Sequence, residues 1–202
     1  MLIAIEGFSD QFTNVIERTM RQILINKEPS KNVYTRADIK PTAVAKSIVA
    51  LMKRTDALKV TDTTFQHLRL AEHAEFRYRS LKPLLEKEHN VILSNYLGPW
   101  FKDDRKLNLK HSLSTVLFRP RLTIYPYDRS SSSDDKLLDE MFSYDRAGTF
   151  SADTVSIGRN TIMSSVEGSA KLHDNLYSAL FQALARPAIS LPADTNNWDL
   201  VS

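Results

Sequence analysis

Residues 3–14 of the chain, IAIEGFSDQFTN, hold the first chemistry to weigh. An apolar run ends in Glu6-Gly7 and passes into a helix-like stretch. That is the order of a strand, a phosphate-binding turn and a helix. A working turn of this kind needs Gly-x4-Gly-Lys-Ser/Thr. Its glycines let backbone N–H groups approach phosphate, its lysine neutralises charge, and its hydroxyl binds Mg²⁺. Here Gly7 keeps the first glycine position, while Phe12, Thr13 and Asn14 stand where the second glycine, the lysine and the hydroxyl belong. A phenylalanine at 12 fills space that a phosphate needs, or turns into the core and reshapes the loop. Asp10 adds negative charge where a polyanion would sit. Were the loop one residue shorter, Thr13 would supply the Mg²⁺ hydroxyl, still with no lysine beside it.

Other reactive side chains form no familiar constellation. There is no cysteine, so disulfides, thiolate metal sites and cysteine nucleophiles are excluded. The histidines at 67, 73, 89, 111 and 173 lack metal-ligand spacing, and no metal site is expected. No Gly-x-Ser-x-Gly elbow occurs. Arg69, Arg77 and Arg79 alternate with Glu72 and Glu75 at helical spacing, which reads as a solvated face with ion pairs. Trp100 and Phe101 follow a strand's carboxyl end, where they stack on a base, pack in the core or meet a partner. Trp198 reads as part of a surface strap or as a docking anchor.

These groups need elements to position them. Residues 2–6 read as a strand buried on both faces. Phe12, Val15, Ile16, Met20, Ile23 and Leu24 follow helical spacing, predicting a helix over 10–24 capped by Ser9 or Asp10. A short strand over 31–36 and a helix with Pro41 in its first turn come next. A longer helix spans 63–87, kinked or broken at Pro83. Strands follow at 90–96 and 121–127, with 105–118 favouring helix between them. The four serines 130–133 mark a flexible loop, open to phosphorylation, before a helix over 134–144. Residues 145–165 show no firm period, and 166–186 read as one amphipathic helix ending before Pro187.

Strands alternating with helices imply a parallel sheet covered on both faces. The organisation expected is one α/β domain over 1–186 and a tail over 187–202. At 42% hydrophobic and 25% charged the composition is that of a globular protein. Net charge is only +3 and no dense basic block stands out, so nucleic acid is not an expected partner despite a sequence pI near 9.0. No stretch reaches membrane-spanning length, and MLIAI is too short for a signal peptide. A soluble, cytoplasmic protein is the expectation.

Four segments, in order and spacing, resemble thymidylate kinase within the P-loop nucleoside-monophosphate kinase family. IAIEGFSDQFTN stands at the phosphate loop. YTRADIKPTAVAKSIVALMK (34–53) is similar to the Thr-Arg-Glu-Pro-Gly-Gly-Thr turn and its helix. RLAEHAEFRYRSLKPLLEKEHNVILSNY (69–96) resembles Ala-Asp-Arg, a helix, Pro, then Val-Ile-Ser-Asp-Arg-Tyr. RPRLTIYPYD (119–128) resembles Arg-Pro-Asp-Leu-Thr-Ile-Tyr-Leu-Asp. The resemblance covers about residues 1–130 and, more loosely, the last helix.

It implies a three-layer P-loop kinase-like sandwich with a mostly parallel sheet, and a nucleotide site at Gly7, Ser9, Asp10, Gln11, Thr13, Arg36, Arg69, Glu72, His73 and Tyr96. The departures fall on chemistry. Beyond Phe12, Thr13 and Asn14, the family's Asp-Arg before the tyrosine becomes Ser94-Asn95. His73 replaces an arginine of the acceptor site, and Ala37-Asp38-Ile39-Lys40 replaces Glu-Pro-Gly-Gly. Phosphoryl transfer rests on positioning and electrostatic stabilisation, where one lost donor costs on the order of 10²–10³ in rate. The expectation is therefore a degenerate kinase acting through a protein partner or self-association as a dimer, with residual nucleotide binding and no required cofactor. Such erosion suits a fast-diverging phage or viral genome. One alternative is an active deoxynucleoside-monophosphate kinase using ATP, Mg²⁺ and dTMP, with Arg36 or Arg146 as rescuing cations. Another is a nucleic-acid-binding module.

Overall fold

A computed structural model describes residues 1–7, 9–53, 62–98, 118–127, 133–146, 151–166 and 170–185. Five strands form one parallel sheet: β1 (Leu2–Ile5), β2 (Val33–Thr35), β3 (Asn90–Ser94), β4 (Leu122–Pro126) and β5 (Thr154–Ile157), in the order β2-β3-β1-β4-β5. Every paired neighbour is parallel, and the register sets Ile3 beside Ile92 and Leu122. Parallel pairing requires crossover helices, and these cover both faces. The strand order reverses around β1, so the loops leaving the carboxyl ends of β1, β3 and β4 open where such sheets hold ligands.

Strand alternation divides the core in two. On one face Ile3, Ile5, Ile92, Leu122, Ile124 and Ile157 pack on helix α1 (Asp10–Lys27) through Ile16, Met20, Ile23 and Leu24. Below the sheet's β4–β5 side lie α6 (Arg159–Val166), through Ile162, and α7 (Lys171–Ala185), through Leu172, Leu176 and Leu180. On the other face Leu2, Ala4, Val91, Leu93 and Tyr125 meet Phe76, Leu81, Leu138 and Met141. The last four come from α3 (Asp62–Phe76), a π-helical turn (Arg77–Leu81) and α5 (Ser133–Arg146). This is the expected three-layer sandwich.

Some boundaries differ from the sequence reading for physical reasons. Pro41 lies outside α2 (Ala43–Lys53), because Thr42 takes the cap: its hydroxyl oxygen accepts the Ala45 N–H at 3.0 Å. Ser9 occupies the cap position of α1 but makes no side-chain cap bond. The long helix is interrupted by the π turn just before Pro83, after which α4 (Lys82–Glu86) resumes. A proline with no N–H and a ring that crowds the preceding turn is accommodated by that wider spacing. Residues 145–165, read as patternless, contain β5 and α6; a four-residue strand and an eight-residue helix are too short to establish a period. The helix expected from 166 begins instead at Lys171, its first bond running from Asp174 N–H to Ala170. Of the helix expected over 105–118, residues 105–117 lie outside the described residues, as do Trp100, Phe101, Ser130–Ser132 and the 187–202 tail with Trp198.

Candidate active site

Glu6 directly follows β1, fully buried, with its N–H donating to the Ile124 carbonyl at 2.9 Å. Its two carboxyl oxygens accept the N–H groups of Leu97 and Gly98, each at 2.7 Å. A Cβ at Gly98 would lie 3.2 Å from Glu6 Oε2, a close approach to the clamped carboxyl. Burial pushes the Glu6 carboxyl up to about 8, with Asp145 adding in the same direction; the backbone donors of Leu97, Gly98 and Tyr96 oppose it. Asp145, also buried, accepts from Ser151 N–H and Ser151 hydroxyl at 2.7 Å and from Tyr125 hydroxyl at 3.0 Å. Thr123 and Ser151 hydroxyls complete this network. A lone acid closing an apolar strand was the sequence signal for Glu6; nothing local marked Asp145.

Gly7 packs so tightly that a Cβ would stand 2.9 Å from Pro126 Cγ and 3.1 Å from Thr13 Cγ2. Its N–H donates to Asn95 Oδ1 at 3.1 Å. Asn95 can reach it because its backbone is left-handed, φ 55°, just beyond β3, with its own N–H on the Ile5 carbonyl at 2.8 Å. The neighbouring Ser94 hydroxyl donates to Glu17 Oε2 at 3.1 Å. Thr13 is buried, its hydroxyl within 3.3 Å of the Ser9 and Asp10 carbonyls of its own helix. Phe12 takes the second of its two expected courses: it packs against the apolar core, with the Arg159 guanidinium 5.6 Å from its ring. Asp10, Gln11 and Asn14 are exposed at the first turns of α1.

The second expected group assembles around the turn after β2. Thr35 and Asp38 form a capping box across the 3₁₀ turn Arg36–Asp38: Asp38 Oδ2 accepts Thr35 N–H at 2.8 Å and Thr35 hydroxyl at 3.0 Å. Those donors hold the Asp38 carboxyl below its usual range. The turn presents Arg36, whose Nη2 lies 3.4 Å from Glu72 Oε1 and whose guanidinium stacks 4.2 Å from the Phe76 ring. Burial raises the Glu72 carboxyl despite Arg36. His73 is pushed down to about 4, by burial first and then by Arg36 and Arg69. It is neutral near pH 7, so its 3.6 Å approach to Glu72 is not an ion pair and is too long for a hydrogen bond. Arg69 is exposed beside it.

Two expected residues serve the interior. Tyr96 is buried, its hydroxyl donating to Phe118 C=O at 3.2 Å and accepting Phe118 N–H at 2.9 Å, with burial pushing the phenol far up. Arg77, read as part of a solvated face, is 6% exposed and stacks 4.4 Å from the Phe118 ring. The other half of that reading holds, for Arg79 is exposed and lies 3.4 Å from Glu75 Oε1 at the i,i+4 spacing. Arg146 is exposed at the end of α5.

The side chains at 12–14 and 94–95 do not fit a Mg²⁺-triphosphate held in the way the sequence resemblance implies. The Thr13 hydroxyl faces helix carbonyls, the Ser94 hydroxyl faces Glu17, and the Asn95 amide oxygen occupies the Gly7 N–H. An anion bound at the Gly7 N–H must displace the Asn95 amide.

The architecture is nonetheless that of a P-loop kinase-like α/β fold. Thymidylate kinase from Ehrlichia chaffeensis has a similar structure, with a TM-score of 0.58 over 83% of this chain and 97% of its own, at 13% identity. At that identity the likeness establishes the thymidylate kinase-like fold and leaves activity to the site. No family model and no curated protein sequence matches the chain. Among the described residues no helix is long and apolar enough to cross a membrane.

Proposed function

We propose that this chain is a thymidylate kinase-like protein that no longer performs ordinary phosphoryl transfer and acts through contact with another protein. The observation that supports this reading most directly is the bond from Gly7 N–H to Asn95 Oδ1. The residue at the family's arginine position occupies the first backbone donor of the loop. Residual nucleotide binding belongs at the Arg36–Glu72–His73 cluster, where Arg36 and Arg69 supply cationic charge for a monophosphate. The test is direct transfer from ATP to dTMP with Mg²⁺, beside a thermal-shift series with dTMP alone. The reading expects no transfer above the uncatalysed background, and a dTMP shift abolished in Arg36→Ala. Turnover at the ordinary rate of kinases, about 1–100 s⁻¹, overturns it.

A second reading, an active deoxynucleoside-monophosphate kinase with rearranged groups, has one observation in its favour. Arg159, at the first position of α6, brings a guanidinium against Phe12 on the first turn of α1. Under that reading Arg159→Ala removes the transfer activity.

A further inference from the structure

A concavity of about 270 Å³ opens beside the edge strand β2, and none of its lining residues belongs to the Arg36–Glu72–His73 cluster. One wall is the turn leaving β2, through Ile39 and Lys40. The other is a single side of the π turn and α4, through Arg79, Pro83 and, at the C-cap, Lys87. These three recur at intervals of four, which brings them to one helical face. Tyr34 and Leu84 complete the apolar part of the lining. With Ile39 they are half-buried against the second core, and the Tyr34 ring leans on His89 at 5.4 Å, so this floor is anchored.

The charge around that floor is one-sided. Lys40, Arg79 and Lys87 are all exposed. Arg79 gives its Nε to Glu75 at 3.4 Å, but an exposed pair contributes little and a guanidinium carries further donors. Asp38 is the one carboxylate in the lining, and its own turn engages it. It accepts from Thr35 N–H and Thr35 hydroxyl and lies 3.6 Å from Arg21 Nη1. Three cations therefore share the site with one carboxylate whose charge is already met. A fitting ligand is small, has an apolar body and carries more than one negative charge. The volume falls just below the ~300–1,000 Å³ of ordinary ligand pockets, which suits one ring and one head group. A carboxylate brings a single charge. A phosphate monoester brings about −1.5 to −2 at pH 7, with three acceptor oxygens to meet the three cations.

We propose that this concavity binds a small phosphate monoester with a single-ring apolar body, the phosphate between Lys40, Arg79 and Lys87 and the ring on Tyr34, Ile39 and Leu84. Phenyl phosphate is the probe, titrated into the full chain by calorimetry. Binding of one molecule per chain is expected, with benzoate and inorganic phosphate each weaker by about tenfold, since each lacks half of the match. Lys40→Gln combined with Lys87→Gln is expected to weaken phenyl phosphate by about tenfold or more without moving the thermal midpoint, both lysines being exposed. Arg79→Gln is expected to weaken it independently, and carries the test alone should the double variant lose its fold. No heat of binding at probe concentrations on the order of millimolar overturns the proposal. Equal binding of either comparison compound overturns it too. Binding that survives the lysine changes and disappears in Arg36→Ala places the anion beside Glu72 and likewise overturns it.

Discussion

Replacing Glu6 by Gln tests whether a buried acid clamps β1 to the segment after β3. The carboxyl accepts two N–H bonds at 2.7 Å with no exposure to solvent. An amide supplies one acceptor and turns an NH₂ toward the other N–H, leaving a buried donor unmet at about 1–3 kcal/mol. For a chain of this length that is a fall in Tm of about 3–9 °C. The pH dependence gives the sharper reading. Burial pushes the Glu6 carboxyl up to about 8 in the folded chain, against its ordinary 4.5. Between these values the folded state keeps a proton that the unfolded state has released. Its stabilising contribution is therefore full below pH 4.5 and is lost as pH rises through 8, by up to about 5 kcal/mol. Gln has no such titration. The parent's advantage over Glu6→Gln is thus expected to shrink from pH 5 to pH 9, and the comparison cancels other titrating groups. Thermal unfolding of both proteins across that range measures it. A gap that stays constant or widens with pH refutes the reasoning, because it means the two short N–H bonds outweigh burial and the folded group is a carboxylate throughout.

Gly7→Ala places a methyl 2.9 Å from Pro126 Cγ, and overpacking of that kind is expected to cost about 1–3 kcal/mol in urea unfolding; an unchanged midpoint contradicts the close approach. His73 is expected to titrate near 4 by NMR, with stability falling as pH drops from 6.5 toward 4, and Arg36→Ala is expected to move its midpoint up; a midpoint near 6.5 in the parent removes the buried-cluster account. Tyr96→Phe leaves the buried N–H and C=O of Phe118 without the phenol, a loss of about 1–3 kcal/mol measurable by chemical unfolding.

The sheet was legible because its signal is local and repeated. Leu2–Ile5 and Val91–Leu93 are unbroken apolar runs, as a strand covered on both faces reads. The amphipathic helices α1 and α7 likewise declared themselves by period. What escaped were short elements and long-range polar contacts. β5 is four residues with Ser156 exposed, so its pattern is no stronger than a loop's. Arg77 and Tyr96 read as surface or ligand groups from residue type, yet both are committed inward through Phe118, which is remote in sequence. The site positions were legible one by one, but their pairing was not. Nothing in a linear spacing says that Asn95 faces Gly7, because the φ of 55° that aims it is a backbone choice made at the end of β3.

That pairing gives the altered positions a common logic. In a phosphate-binding turn, the first loop N–H, the helix hydroxyl and the charged pair after β3 all point outward to a ligand that the protein alone leaves unmatched. Here each partner points inward: Asn95 to Gly7, Ser94 to Glu17, Thr13 to its own helix. Each such bond is worth about 0.5–1.5 kcal/mol net, and a ligand must break it before gaining anything. The same bonds stabilise the turn without a ligand. At the rim the Arg36 side chain is 44% exposed, stacked on Phe76 but still open to solvent. Any nucleotide affinity that survives is therefore expected to be for an acceptor-like monophosphate and not for a triphosphate, an ordering that equilibrium titration with dTMP and ATP reads directly and that tighter ATP binding would reverse.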